Sequence, residues 1–429
     1  MHPLLRIPYA AVGAVAQVAA IIAPSSAGKL GASLRARRRI RERYTAWSAA
    51  HRDPARPLLW IHAPSVGEGL QARPVIALLR ARHPQLQIAY TFFSPSAAPF
   101  AAGVGADFCD YLPFDTYGDS DAAVRALRPT ALVFSKLDVW PVLVERAVAH
   151  GTRVGLISAT LAEASARTSA MASWLLRDAY HALDAVGAID TRDATRLIQL
   201  GVRADHVHVT GDTRYDQVRD RAAAADRGGA LLAPLASTRP TLVAGSTWPS
   251  DETALFDAWR SVIAQVPQAR MIIAPHELTT AQLANIERWA ELSKLRFARI
   301  GAGSQSQADV VLVDRVGVLG DLYAIADVAF VGGGFHSAGL HSVLEPAAFG
   351  VPVLFGPQYG ASRDATRLLA ESGGFTASSA QELATRMITL LTETEARVTA
   401  GGQARALVES GLGAAVKSAA LVEQLLAIS

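Results

Sequence analysis

The chain has 429 residues, half of them apolar and 18% charged, a balance that excludes a disordered chain and exceeds what one ordinary core holds, so two or three well-buried domains are expected. Cys109 is the only cysteine, which excludes an internal disulfide and a thiolate metal cluster. The net charge of +3 is uneven, because residues 29–43 carry Lys29, Arg35, Arg37, Arg38, Arg39, Arg41 and Arg43 against Glu42 alone, and this points to a local anionic partner rather than a broadly basic surface.

The first element in chain order is Ile7 to Ala23, IPYAAVGAVAQVAAIIA, an uncharged helix-compatible stretch followed by Pro24. A crossing needs about twenty apolar residues, and alanine and glycine partition weakly. An interfacial or short anchoring helix therefore fits as well as a crossing, with a buried core helix as the plain alternative. Joined to the arginines, it predicts a membrane-associated segment over residues 1–48. Arg35, Arg37, Arg38, Arg39, Arg41 and Arg43 would meet an anionic surface and keep the rest of the chain in the cytoplasm. Nucleic acid is not expected, since the basic run lacks interleaved aromatics.

From Leu58 onward, strand-like runs alternate with helix-length segments: Leu58–His62, Gln87–Phe92, Ala131–Ser135, Val154–Ser158, Ala185–Ile189 and Val207–Thr210. A polar, alanine-rich stretch interrupts the series, and a second follows with Thr241–Ala244, Met271–Ala274, Val310–Val313, Val328–Val331 and Val351–Phe355. This alternation predicts an α/β protein of two Rossmann-like domains over 49–222 and 240–410, a linker over 223–239 and a C-terminal helix over 411–429. Ligands of such sheets sit at the carboxyl ends of strands, so chemistry is sought immediately after them.

Four segments qualify. In LLWIHAPSVGEG, Ser65 and Glu68 stand three apart around Gly67; the plainest reading of the spacing is a capping box, and the functional alternative is a carboxylate that takes a proton from an acceptor hydroxyl. Ser379 and Glu382 repeat the spacing before another helix. In FSKLDVWP, Lys136 could grip an anion and Asp138 orient a ligand, or both could form a solvated edge. In TLVAGSTW, Gly245, Ser246 and Thr247 could cap a helix or offer amides to a phosphate. His276, at the next strand end, has the same standing. In VGGGFHSAGLHSVLEP, Gly332, Gly333 and Gly334 allow a sharp turn, and a helix starting near His341 or Ser342 would aim its N-terminus at the same space, with Glu345 placed for a nucleotide ribose. The plain alternative is a tight strand-to-helix turn. G-x-G-x-x-G is not met, because Ser337 stands where its last glycine would be, and no P-loop lysine is present.

In this order the segments resemble the lipid A Kdo transferases, inverting glycosyltransferases of the GT-B architecture. The resemblance runs from the N-terminal stretch to about Pro357. It rests on SVGE at Ser65–Glu68, TFFSPS, VTGDTRYDQV, AGSTWPSDE and GGGFHSAGLHSVLEP. The chain departs from the family's E-T-E-L-W-P at Lys136 and Asp138 while keeping Trp140, nearer a K-Y-E-F-W variant; it has His341-Ser342 for the usual H-N and lacks the arginine of P-R-H beside His276. The resemblance implies two domains facing a cleft and transfer of Kdo from CMP-Kdo to the lipid A precursor, lipid IVA, with Glu68 as general base. CMP would be held by the C-terminal domain, its phosphate at Gly332–Gly334 and at Ser246-Thr247. No metal or cofactor is implied, CMP-Kdo being a substrate. A non-catalytic nucleotide-sugar binding protein and a GT-B-type epimerase are the competing classes.

Overall fold

The computed structural model describes residues 3–22, 28–162, 165, 167, 169–303 and 305–428. The chain forms two compact units, one of residues 1–217 with 412–429 and one of 218–411.

The first unit is built on seven parallel strands: β1 Leu58–His62, β2 Gln87–Phe92, β3 Phe108–Tyr111, β4 Ala131–Ser135, β5 Arg153–Ala159, β6 Ala185–Ala188 and β7 Val207–Val209. Their order is β3-β2-β1-β4-β5-β6-β7. The central strands are apolar on both faces because helices cover both; every residue of β1, β2 and β4 is buried. The second unit repeats the plan with β8 Thr241–Thr247, β9 Arg270–Pro275, β10 Phe297–Arg299, β11 Val310–Leu312, β12 Val328–Val331, β13 Val353–Phe355 and β14 Gly374–Thr376, in the order β10-β11-β9-β8-β12-β13-β14. Two doubly wound parallel units in one chain are the GT-B composition expected from the sequence.

The interior strands fall within two residues of their expected limits except β8, which runs three residues further, to Thr247. The strands not anticipated, β3, β10 and β14, are all sheet edges. Each is short and buried on only part of its length, so it lacks the continuous apolar run that marks an interior strand.

Two boundaries differ from expectation. Residues 223–239 are not a free linker: Leu232 and Leu235 are buried against Val243 and Ile272 of the second unit. The C-terminal helix, Ala414–Leu426, belongs to the first unit. It buries Ala419, Val422 and Leu425 against Ile88 and Ile157, and both carboxylate oxygens of Asp216 accept from its first turn, at Gly413 N (2.8 Å) and Ala415 N (2.9 Å). The VTGDTRYD segment thus has a structural task, closing the first unit by capping a helix nearly 200 residues away.

The N-terminal apolar stretch forms the helix Pro3–Ile22, long and apolar enough by length and composition to cross a membrane. The arginines behind it do not form the outward-facing cluster expected. Arg37 is 3% exposed, donates to Leu112 O (2.8 Å) and Ser33 O (2.8 Å), and lies 4.3 Å above the Phe93 ring. Arg43 makes a bidentate pair with Asp110 (2.7 and 2.9 Å), and Arg41 pairs with Asp119. Arg38 donates to Ala20 O and Ile21 O (2.7 Å each), satisfying carbonyls left over at the end of the apolar helix. Arg39 pairs with Glu42 on the surface. Arg35 is half-buried.

Candidate active site

In the first sheet the chain runs from β1 to β3 on one side and from β4 to β7 on the other, so the carboxyl ends of β1 and β4 flank the switch point where open parallel sheets bind ligands. The turn after β1 carries Ser65 into the helix Val66–Arg82, with Glu68 in its first turn. The turn after β4 starts with Lys136 at φ 70°, a left-handed conformation costly for a residue with a Cβ, held by Lys136 N donating to Ile157 O (2.8 Å). The two turns meet: Lys136 Nζ lies 3.2 Å from Glu68 Oε1, Ser65 Oγ donates to Glu68 Oε2, and Ser135 Oγ donates to Glu68 O (3.1 Å).

In this geometry the capping box is not formed. Ser65 occupies the N-cap position, but its side chain caps no backbone N–H; it is turned to the carboxylate instead. Burial works against the charge on Glu68, yet the Ser65 hydrogen bond and the positive charge of Lys136 outweigh it and hold the carboxyl below the ordinary glutamate range. Gly67 has room at its Cα, the nearest atom to an added Cβ being Ser65 Oγ at 3.7 Å.

Asp138 belongs to the same turn. Its Oδ2 accepts from Trp140 Nε1 (3.0 Å) and lies 3.2 Å from His62 Nε2, and Arg167 stands 3.6 Å from Oδ1. Burial opposes ionisation here too, but His62, Trp140 and Arg167 together keep the carboxyl low. His62 is fully buried at the end of β1, with Nδ1 3.1 Å from Thr91 Oγ1, a hydroxyl that already accepts from Trp60 Nε1 (2.9 Å). Nδ1 is also 3.1 Å from the Thr91 carbonyl oxygen, so Thr91 holds the ring through both its oxygens and Nε2 faces the Asp138 carboxylate. Sequence reasoning missed His62; the one available signal was a histidine closing an otherwise apolar buried strand.

In the second sheet the corresponding switch point lies between β8 and β12. It brings together Gly245, Ser246 and Thr247 after β8 with Gly332, Gly333 and Gly334 after β12: Gly332 N donates to Gly245 O (2.8 Å), and Ser246 takes a left-handed φ of 54°. The glycines are required by chain crossing. A Cβ on Gly332 would strike the Ser246 carbonyl, one on Gly333 (φ 92°) the Gly339 carbonyl, and one on Gly334 the backbone of Gly356.

The expected anion grip of this turn is not formed as foreseen. Asp251, fully buried, accepts from Gly333 N (2.7 Å) and Phe335 N (2.9 Å), and also from Trp248 N (2.9 Å). A carboxylate of the chain therefore occupies amides that a phosphate would have needed. The following helix starts at Leu344 and spans only Leu344–Ala348, too short for a useful dipole. Glu345, in its first turn, is pushed up by burial, against the charge of Arg221 and with that of Asp321. Ser342 is exposed.

What this end of the sheet does present is an aromatic cluster. The Trp248 ring lies parallel to His336 at 4.2 Å and stacks on His276 at 4.6 Å, while His276 and His341 are 4.4 Å apart. Trp248 Nε1 donates to His341 Nε2 (3.1 Å), which fixes the proton of a neutral His341 on Nδ1. Burial, then His276, lowers His341 to a pKa of about 4, so the ring is a neutral donor at physiological pH. Trp248, His336 and Asp251 were not singled out in the sequence, because their roles depend on side chains up to 93 positions away.

Residues 38–217 match the family described as 3-deoxy-D-manno-octulosonic-acid transferase (kdotransferase). A 3-deoxy-D-manno-octulosonic acid transferase of Bordetella pertussis is 30% identical over 384 residues, covering 85% of this chain and 87% of the relative. The chain belongs to the 3-deoxy-D-manno-octulosonic acid (Kdo) transferase family. The transferases of Haemophilus influenzae and Aquifex aeolicus are each 26% identical, over 80% and 78% of this chain and 80% and 86% of their own lengths. Membership makes the protein a glycosyltransferase of lipopolysaccharide synthesis, in preference to a binding module or an epimerase. Among solved structures, a UDP-GlcNAc 2-epimerase from Neisseria meningitidis covers 86% of the transferase and 99% of its own chain with a TM-score of 0.60. At 13% identity that likeness concerns the fold alone.

Proposed function

We propose that this transferase moves Kdo from CMP-Kdo to the lipid A precursor lipid IVA with inversion, on the cytoplasmic face of the inner membrane, with Glu68 as general base. The observation that carries the reading is the Glu68 carboxylate itself: it lies at a switch point, turned away from helix capping and held ionised by Ser65 and Lys136. The acceptor hydroxyl oxygen attacks the anomeric carbon of Kdo, the bond from that carbon to the CMP phosphate oxygen breaks, and the hydroxyl proton passes to Glu68. CMP leaves with the bonding electrons, and no metal or cofactor enters the step.

A weakly basic resting carboxylate is consistent with this role. An acceptor hydroxyl in the place of Ser65 Oγ would donate to Glu68 in turn, and its proton would pass along that hydrogen bond as the new carbon–oxygen bond forms. Asp138, locked by His62 and Trp140, orients the acceptor. The donor is assigned to the second unit, where His276, stacked on Trp248, presents an exposed ring and His341 Nδ1–H, with Ser246, offers donors to the phosphate; Thr247 is buried with its hydroxyl donated to Glu252 (3.0 Å) and serves the turn instead. The exposed apolar face of the helix Pro3–Ile22 provides the membrane contact. Incubating the purified protein with CMP-Kdo and lipid IVA and weighing the products tests the reaction: a mass increase of one or more Kdo units is expected, and unchanged lipid IVA with intact CMP-Kdo would refute it.

A further inference from the structure

The helix Pro3–Ile22 has two unlike faces. Leu4, Ile7, Val12, Val15, Val18 and Ile22 are between 57% and 81% exposed. The other face is fastened to the first unit by polar contacts: Gln17 Nε2 donates to Asp119 Oδ2 (2.6 Å), Arg6 pairs with Glu145 (3.2 Å), and Tyr9 Oη donates to Asp115 Oδ2 (2.6 Å). A helix bound along its length in this way lies against the unit and offers one apolar side to a lipid surface.

Asp115 is the unusual partner. It is buried, at 8% exposure, and its carboxylate also accepts from Val142 N (3.1 Å) and Leu143 N (2.7 Å), with Ser120 Oγ at 3.4 Å. Those amides open the helix Pro141–Ala149, whose N-cap residue, Trp140, supplies no side-chain cap. A carboxylate 27 positions upstream therefore caps the helix that follows the Asp138–Trp140 turn, and its fourth ligand is a tyrosine on the apolar helix. A second route converges on the same turn. Phe93 stacks on Trp140 (5.7 Å, 15°), and its carbonyl accepts from Ser33 Oγ (3.3 Å), in the helix Gly28–Ala36, and from Arg37 (3.4 Å).

We propose that Asp115 is a positioning residue: it couples the seating of the N-terminal helix on a lipid surface to the geometry of the Asp138–Trp140 turn. Seating fixes Tyr9, Tyr9 fixes the Asp115 carboxylate, and the carboxylate fixes the amides that start the next helix. The consequence for transfer rests on the acceptor-side role proposed above; the coupling itself does not.

Hydrogen exchange followed by mass spectrometry on the full chain, with and without vesicles of phosphatidylethanolamine and phosphatidylglycerol, tests it. In the wild type the vesicles should slow exchange at Val142 and Leu143 severalfold. In Tyr9→Phe, which keeps the apolar face and should sediment with the vesicles as before, the slowing should vanish. KM for lipid IVA should rise about fivefold in this variant, the loss expected of one net hydrogen bond, with KM for CMP-Kdo unchanged. Exchange at 142–143 that vesicles leave unaltered in the wild type, or slow equally in Tyr9→Phe, would overturn the coupling. Because exchange is read without donor or acceptor, it stands or falls separately from the reaction: a coupled wild type that leaves lipid IVA unmodified would refute only the proposed function.

Discussion

The turns at Ser65 and Ser379 each place a serine three residues before a glutamate at the start of a helix, and they fold differently. At Ser379 the serine side chain accepts from Glu382 N (3.2 Å) and Glu382 reaches back to Ser378 N (2.8 Å), so both side chains are spent on capping. At Ser65 the serine side chain accepts no backbone N–H and donates to Glu68, whose other oxygen faces Lys136. The difference lies in the surroundings. Glu382 is on the open surface, where backbone donors are its best partners, whereas Glu68 stands at the carboxyl end of a buried parallel strand beside a lysine held in a left-handed turn. A spacing that stabilises a helix in one place leaves a carboxylate available for chemistry in the other.

The largest expected effect breaks that comparison at the glutamates. Glu68→Gln keeps the shape but cannot take a proton, so transfer should fall by roughly a hundred- to ten-thousand-fold with CMP affinity and thermal unfolding unchanged. Glu382→Gln should transfer at the wild-type rate. Assaying both against lipid IVA checks this, and similar rates for the two variants would return Glu68 to a structural role.

A third carboxylate extends the comparison, since Asp251 caps backbone across 82 positions of sequence. Asp251→Ala leaves buried amides at Gly333 and Phe335 without an acceptor and should cost about 2–4 kcal/mol of stability, read from denaturant unfolding. A loss below about 0.5 kcal/mol would mean that the glycine turn does not depend on it. At the small end, Ser379→Ala should cost about 1 kcal/mol, the usual worth of an N-cap, and Ser65→Ala clearly less, because there is no cap bond to lose. Equal losses in the same unfolding experiment would erase the distinction between the turns.

Much of the architecture is legible in the sequence, and the remainder has identifiable reasons. Interior strands such as Leu58–His62 announce themselves because both faces are covered and every residue must be apolar. Edges such as Phe108–Tyr111 do not, since their outer positions are free to be polar. Ser65, Glu68, Lys136 and Asp138 stand out because the carboxyl ends of strands are where side chains converge in such sheets. What linear reading cannot supply is long-range partnership. Arg37, Arg41 and Arg43 look like a membrane-facing cluster until Leu112, Asp119 and Asp110 claim them. Gly332–Gly334 look like an anion cradle until Asp251 occupies it, and His62 has no visible role until Asp138 lies 3.2 Å from its ring.

The central claim is that the ionised Glu68 carboxylate limits transfer, and the acid limb of the pH dependence of kcat/KM tests it most directly. The rate should fall as pH drops through the Glu68 pKa, which Ser65 and Lys136 hold below the ordinary value, so the wild-type limb should lie below that of a free glutamate. Lys136→Met removes a positive charge that favours the ionised form, so the pKa should rise and the limb move to higher pH, whatever uniform loss of rate accompanies it. A limb that stays in place when Lys136 is neutralised would show that another group controls the proton, and Glu68 would lose its place as the base.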